Sequence, residues 1–245
     1  MKLGIMQPYF FPYLGYWQLM NAVDEYLIID DVNYINNGFI NRNKILVNGE
    51  PFNFGIPVRK ASQNRLICEH ETGLDEATAE KLLTTLRSSY AKAPYFKETF
   101  EHVREVLEYG LTDDGRNLAD FLDNANRLTA KMLGITTPIY RTSKDLHYDR
   151  SNKREYLVAA ICKERNATEY YNAIGGECLY CQKFFRERGV SLKFVKMDQN
   201  LTYRQFKDEF VPNLSIIDVM MFNSKEQIQQ LLSMYSLESG SEELS

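Results

Sequence analysis

Three short polar clusters carry most of the residue types that could do chemistry. Asn41-Arg42-Asn43-Lys44 gathers amide and cationic donors in four positions, and an arginine fork grips phosphate or carboxylate through two parallel bonds. Arg42 and Asn43 are therefore candidate ligand contacts. Asp30-Asp31 closes an apolar run that begins at Tyr26; at a strand end, Asp30 is a candidate catalytic carboxylate that could bind a sugar hydroxyl or a substrate amine. A surface salt-bridge network explains the same residues without function. His147, in Asp145-Leu146-His147-Tyr148-Asp149, is the candidate general base, because imidazole titrates near neutrality; the alternative is a solvated loop histidine. Glu177 follows Gly175-Gly176. It could transfer a proton or bind a cation, or simply place a favourable charge at a helix start. His102 falls beside charged residues in a helical stretch and is expected at the surface. No Ser-His-Asp or Cys-His order can be assigned.

The opening segment adds a second kind of signal. Lys2 to Gln7 predicts a buried strand that runs into Pro8-Tyr9-Phe10-Phe11-Pro12-Tyr13, and Leu14 to Asn21 predicts a helix. Ligands of parallel α/β sheets bind beyond the carboxyl ends of strands, where a helix start offers unpaired N–H groups to an anion. Gln7, Tyr9, Tyr13, Gly15 and Tyr16 are the expected ligand contacts, with Gly15 permitting close approach. Pro12-Tyr13-Leu14-Gly15-Tyr16 is similar in position to the H-x-G-H signature of nucleotidyltransferase-like proteins, with tyrosine at both histidine positions. A phenol donates a hydrogen bond but supplies no positive charge. The competing reading of Tyr13 and Tyr16 is an aromatic plug packing the helix against the sheet.

Composition narrows the field. The net charge is −4 with mixed signs along the chain, which argues against a bulk nucleic-acid surface; aminoacyl-tRNA stays open as a carrier. No apolar run is long enough to span a bilayer. Pro8 and Pro12 break the first apolar run and no small-residue cleavage site follows, so a cytoplasmic location is expected. Among four cysteines, Cys178 and Cys181 have C-x-x-C spacing, but no second ligand pair accompanies them, so no metal is assigned. No cofactor is assigned either.

The elements that must position these residues follow from periodicity. Tyr26 to Asp30 reads as a second strand. Asn48-Gly49 between Ile45-Leu46-Val47 and Phe52-Asn53-Phe54 reads as a hairpin, near 45–58. Leu66 to Cys68 reads as a short strand. Residues 75–133 read as helical: Leu118, Phe121, Leu122, Ala125, Leu128 and Met132 form the cleanest stripe. Strands are expected at Pro138–Arg141, Glu169–Asn172 and Leu192–Val195, and helices after an Asn152–Glu155 capping box and at Leu179–Arg188, Ser215–Phe222 and Lys225–Tyr235. The expected fold is α/β, a mainly parallel sheet with flanking helices, a β-hairpin and a helical insertion, with a nucleotidyltransferase-like core as one form. It spans 1–236 as a single domain, with a frayed acidic tail at 237–245.

Several motifs in order resemble the WbqC-like protein family: Lys2 through Tyr16, Ile29-Asp30-Asp31-Val32, Asn41-Arg42-Asn43, Ser89-Tyr90-x-x-Ala93-Pro94-Tyr95-Phe96, Tyr203-Arg204-Gln205-Phe206 and Leu214-Ser215-Ile216-Ile217-Asp218. The resemblance implies a transferase of surface-polysaccharide (O-antigen-type) biosynthesis, with acyl or aminoacyl transfer to a nucleotide-linked amino sugar. Its implied partners are a nucleotide sugar or an activated acyl donor. The alternatives are a nucleotidyltransferase-like enzyme and a non-catalytic nucleotide-sugar-binding protein of the same pathway.

Overall fold

The computed structural model describes residues 1–152, 154–207 and 209–242. Its centre is a six-stranded sheet of β1 (Lys2–Met6), β2 (Glu25–Ile28), β7 (Ile139–Arg141), β8 (Glu169–Ala173), β9 (Ser191–Met197) and β10 (Tyr235–Ser239), in the order β10-β9-β8-β1-β2-β7. All neighbours run parallel except β10, which pairs antiparallel with β9 from Tyr235 opposite Met197 to Ser239 opposite Lys193. Numbered along the chain, these strands lie in the order 3-2-1-4-5-6, so the direction of winding reverses between β1 and β8.

Burial follows strand alternation. Leu3 and Ile5 face one core with Tyr170, Leu192 and Phe194, covered by α6 (Glu155–Glu164) and α7 (Gln182–Arg186). Tyr26, Ile28, Tyr171 and Val195 face the opposite core, covered by α1 (Leu14–Asn21), α8 (Ile216–Phe222) and α9 (Lys225–Leu232). Helices on both faces explain why the central strands are apolar throughout.

The helical middle consists of α2 (Glu76–Tyr90), α3 (Phe96–Gly110) and α4 (Leu118–Met132). Asp75 caps α2 through the Thr78 N–H at 2.8 Å, and Asn117 caps α4. The insertion joins the second core through Phe10, whose ring stacks on Phe121 of α4 and on Phe54 of the hairpin, both at 5.9 Å. That hairpin is β3 (Arg42–Val47) and β4 (Glu50–Gly55), closed by Asn48 and Gly49, which both take positive φ as a tight hairpin turn requires.

Four local expectations change. Residues Ile67–Glu69 form a 3-10 turn rather than a strand, because the Glu69 carboxylate takes the Leu66 N–H at 2.8 Å and His70 Nδ1 meets the Leu66 carbonyl at 2.7 Å. A two-residue ladder, β5 (Val58–Arg59) with β6 (Glu71–Thr72), lies around it. Asn152 does not cap α6, since its side chain donates back to the Asp149 carbonyl at 2.9 Å. The expected helix at Leu179–Arg188 divides into a 3-10 turn at Ile174–Leu179 and the short α7 (α5 is the single turn Thr142–Asp145). The final helix stops at Leu232 and the chain turns into β10, so residues 237–239 of the expected frayed tail are an edge strand. Residues 243–245 of that tail lie outside the described residues.

Candidate functional site

A crevice opens where the winding reverses, beside the carboxyl ends of β8 and β9 and the start of α1. Its cavity of about 480 Å³ is lined by Tyr13, Gly15, Phe39, Asn43, Ile174, Gly175, Lys196 and their neighbours. The lining is chiefly apolar, with a few convergent polar groups, the usual constitution of a small-molecule site. Lys196 supplies positive charge; its Nζ also lies 2.7 Å from Glu238 of β10. A cavity of about 560 Å³ lies between α6 and Arg188, near the Ala167 and Val190 starts of β8 and β9. That is the opposite edge of the sheet from the one such folds use for ligands.

Tyr13 lines one wall, at the end of a loop from Gln7 that is held from several sides. Phe11 is buried with a φ of 43°, in the left-handed region that a bulky residue rarely adopts. Its carbonyl accepts Asn43 Nδ2 at 2.9 Å and Ser215 Oγ at 2.7 Å. The Pro12 carbonyl accepts Trp17 Nε1 at 3.1 Å and the Ile216 N–H at 3.0 Å. The Phe10 N–H donates to the Phe39 carbonyl at 3.1 Å. Residues far apart in sequence thus fix a strained turn, and the strain persists because its surroundings determine it. Burial pushes the Tyr9 phenol up to about 12 and raises Tyr13 as well, so both remain neutral hydrogen-bonding groups near neutral pH.

The predicted contacts divide on inspection. Tyr13, Gly15 and Asn43 line the crevice. Gln7 and Tyr9 stand behind it: the Tyr9 hydroxyl faces Gln7 Oε1 at 3.4 Å, and the Tyr9 ring lies 6.0 Å from that of Phe39. Tyr16 does not line the crevice. It is fully buried and its hydroxyl donates to the Gln7 carbonyl at 3.2 Å, so the aromatic-plug reading describes it. The space at Gly15 is also filled from within, since a Cβ there would lie 2.5 Å from Cε2 of Tyr13. Glycine is needed because the Tyr13 ring covers the helix start.

Arg42 does not reach into the crevice with a free fork. Its Nη2 donates to the Asn37 carbonyl at 2.7 Å and its Nε to the Gly38 carbonyl at 3.3 Å, bracing the loop that presents Phe39. Asp30 is fully buried beside Arg141, Thr142 and Ser143. Its carboxylate accepts Arg141 Nε and Nη2, Ser143 Oγ at 2.6 Å and the Ser143 N–H at 3.0 Å. A carboxylate so occupied and enclosed is committed to internal hydrogen bonds and does not line the crevice. His147 is exposed in the loop after α5, outside the crevice lining. Glu177 is exposed in the 3-10 turn after β8, and its charge helps raise the Lys196 pKa, behind the larger effect of Glu238. Of the three proposed catalytic groups it alone is tied to a lining residue. His102 is buried rather than exposed, with Nε2 2.9 Å from Thr129 Oγ1, and burial lowers it to about 4.

Sequence reasoning passed over two features. Phe39 is 58% exposed yet lines the crevice; an isolated aromatic after Asn36-Asn37-Gly38 was the available signal. Asp218 is buried and accepts Tyr90 Oη at 2.8 Å, Tyr203 Oη at 2.7 Å and Gln205 Nε2 at 2.7 Å. Its pKa is raised by burial. Three motifs separated in sequence meet at this one carboxylate.

A mainly parallel six-stranded sheet with helices on both faces and a crevice at its reversal point places the chain among doubly wound α/β proteins. The chain belongs to the WbqC-like protein family, whose model matches residues 7–230. It is similar to a protein of Mycobacterium tuberculosis named "Uncharacterized protein Rv1507c", 27% identical over 226 residues, covering 91% of this chain and 93% of the relative. No solved structure matches the chain significantly. No described helix is long and apolar enough to cross a membrane.

Proposed function

We propose that the protein is a transferase of surface-polysaccharide biosynthesis that binds a nucleotide-linked amino sugar and transfers an acyl or aminoacyl group to its amine. The observation that carries this reading is the crevice at the β1–β8 reversal, where doubly wound sheets hold nucleotides. Lys196 provides the positive charge for phosphate, and Phe39 offers an exposed ring for a base. Membership of the WbqC-like family supports the pathway. Glu177, beside Lys196, is the carboxylate proposed to take the proton of the sugar amine.

The test is a thermal-shift screen with nucleotide sugars, nucleoside triphosphates, acyl thioesters and aminoacyl-tRNA, followed by mass spectrometry of mixtures. Nucleotide amino sugars are expected to raise the melting temperature through mass action and to gain an acyl or aminoacyl mass with the correct donor. No shift with any nucleotide sugar would overturn the reading. Nucleotidyl transfer is the second reading, favoured by Tyr13 lining the crevice directly after the first strand. Pyrophosphate release from a triphosphate would establish it in place of the first.

A further inference from the structure

A second cavity, of about 370 Å³, adjoins the crevice and shares Tyr13, Met197, Gln199 and Asn213 with it. Leu14, Leu201, Leu214 and Val219 are buried around it. Tyr203 and Phe210 form an aromatic wall, with ring centroids 5.0 Å apart and planes at 78°. The Tyr203 hydroxyl is committed to Asp218 Oδ2 at 2.7 Å, which fixes the ring's position. Among its described lining residues there is no Lys, Arg or His. The acidic member, Asp198, accepts the Asn200 N–H at 2.8 Å within its own turn.

We infer that this cavity is a subsite for an uncharged apolar acyl chain. The ligand's polar part would occupy the neighbouring crevice, with Tyr13 at the boundary. The inference rests on the proposed transferase reading and narrows its donor: the group transferred is a fatty or other apolar acyl group rather than glycyl. A phosphate or free carboxylate placed here would find no cation, and an ammonium would meet an already hydrogen-bonded carboxylate among apolar walls; both are costly to bury unpaired. An alkyl chain gains from the same surroundings in proportion to the area it removes from water. In the transfer itself, the amine nitrogen of the sugar forms the new bond to the acyl carbon. The bond from that carbon to the carrier's sulfur breaks, the thiolate leaves, and the amine proton passes to a base.

The experiment is isothermal titration of the full chain with S-acetyl-, S-glycyl- and S-hexanoyl-pantetheine, together with a nucleotide amino sugar. Hexanoyl is expected to bind about a hundredfold more tightly than acetyl, as burial of its additional methylenes implies, and glycyl is expected to bind no better than acetyl. Thr202 is exposed at the edge of the cavity, so Thr202→Trp should occlude it without disturbing the core. That variant is expected to lose most of the chain-length preference while keeping wild-type affinity for the nucleotide sugar; Thr202→Ser should behave as wild type. Equal binding of glycyl and hexanoyl forms, no binding of any thioester, or an undiminished preference in Thr202→Trp would each overturn the subsite. If nucleotide sugars bind and chain length has no effect, the acyl subsite fails and the transferase reading stands. If hexanoyl binds as expected and no nucleotide sugar does, the subsite stands and the nucleotide-sugar reading fails.

Discussion

Arg141 and Asp30 meet across the carboxyl ends of β7 and β2, with guanidinium Nη2 and Nε 2.6 and 3.0 Å from the same carboxylate oxygen. The side chain of Arg141 is 3% exposed and that of Asp30 is sealed from solvent. The same guanidinium extends to Asp120 of α4, which also pairs with Lys144 at 2.6 Å. The pair therefore connects the parallel sheet to the helical insertion.

Removal of one partner should be costly. Asp30→Ala leaves Arg141 without its most enclosed anion, and a broken buried pair costs about 3–5 kcal/mol. Urea denaturation should show that loss, while any crevice ligand that still binds the folded variant should keep near-wild-type affinity. Wild-type stability with lost ligand binding would instead return Asp30 to the active site.

Tyr16→Phe should lower stability by about 1 kcal/mol, the worth of a lost internal hydrogen bond, because the Gln7 carbonyl loses its donor. Tyr16→Ala, which empties part of the core, should cost about 3–5 kcal/mol. Ligand affinity in Tyr16→Phe should remain unchanged. A tenfold loss of affinity at full stability would show that the hydroxyl serves ligand after all.

These outcomes bear on what can be read from the sequence. The first strand, α1, the Asn48-Gly49 hairpin and the three long helices were legible because each is set by local periodicity or turn chemistry. The sequence also pointed to the end of the first strand, where Tyr13, Gly15 and Asn43 line the crevice. Side-chain duties were not legible. Asp30 is engaged by an arginine 111 positions away, and Asn43 reaches a carbonyl 32 positions away. Arg42 has the composition of a phosphate fork, but the carbonyls of Asn37 and Gly38 occupy it once the loop folds back. The tenth strand was missed because Tyr235–Ser239 is polar and short, and its strand character comes from pairing with β9.

Phe39 should act on nucleobase-bearing ligands. Phe39→Ala should weaken a nucleotide sugar about tenfold, since base–aromatic stacking contributes about 1–3 kcal/mol, and should leave the corresponding sugar phosphate unaffected. Arg42→Lys should produce a smaller loss by relaxing the loop that carries Phe39. Equal weakening of both ligands in Phe39→Ala, measured by calorimetry, would remove Phe39 from base recognition.

His102 should make the fold acid-sensitive. Burial lowers its pKa from 6.5 to about 4, so between these values the unfolded chain binds the extra proton. Its contribution is fully present above pH 6.5 and is lost as pH falls toward 4, to the extent of about 3 kcal/mol. His102→Gln should flatten that part of the stability–pH curve. An unchanged slope in denaturation curves across this window would assign the acid sensitivity to other groups.

The antiparallel strand β10 has a consequence for how the chain behaves in solution. It occupies the outer hydrogen-bonding groups of β9, a seven-residue strand with Leu192, Phe194 and Val195 buried. A chain cut after Met234 would bare that ladder as an unpaired template, the feature through which sheet proteins recruit one another into aggregates. Lys196, which faces the crevice, would lose Glu238 in the same cut. Colloidal stability and the charge at the crevice therefore both depend on the same short piece of chain.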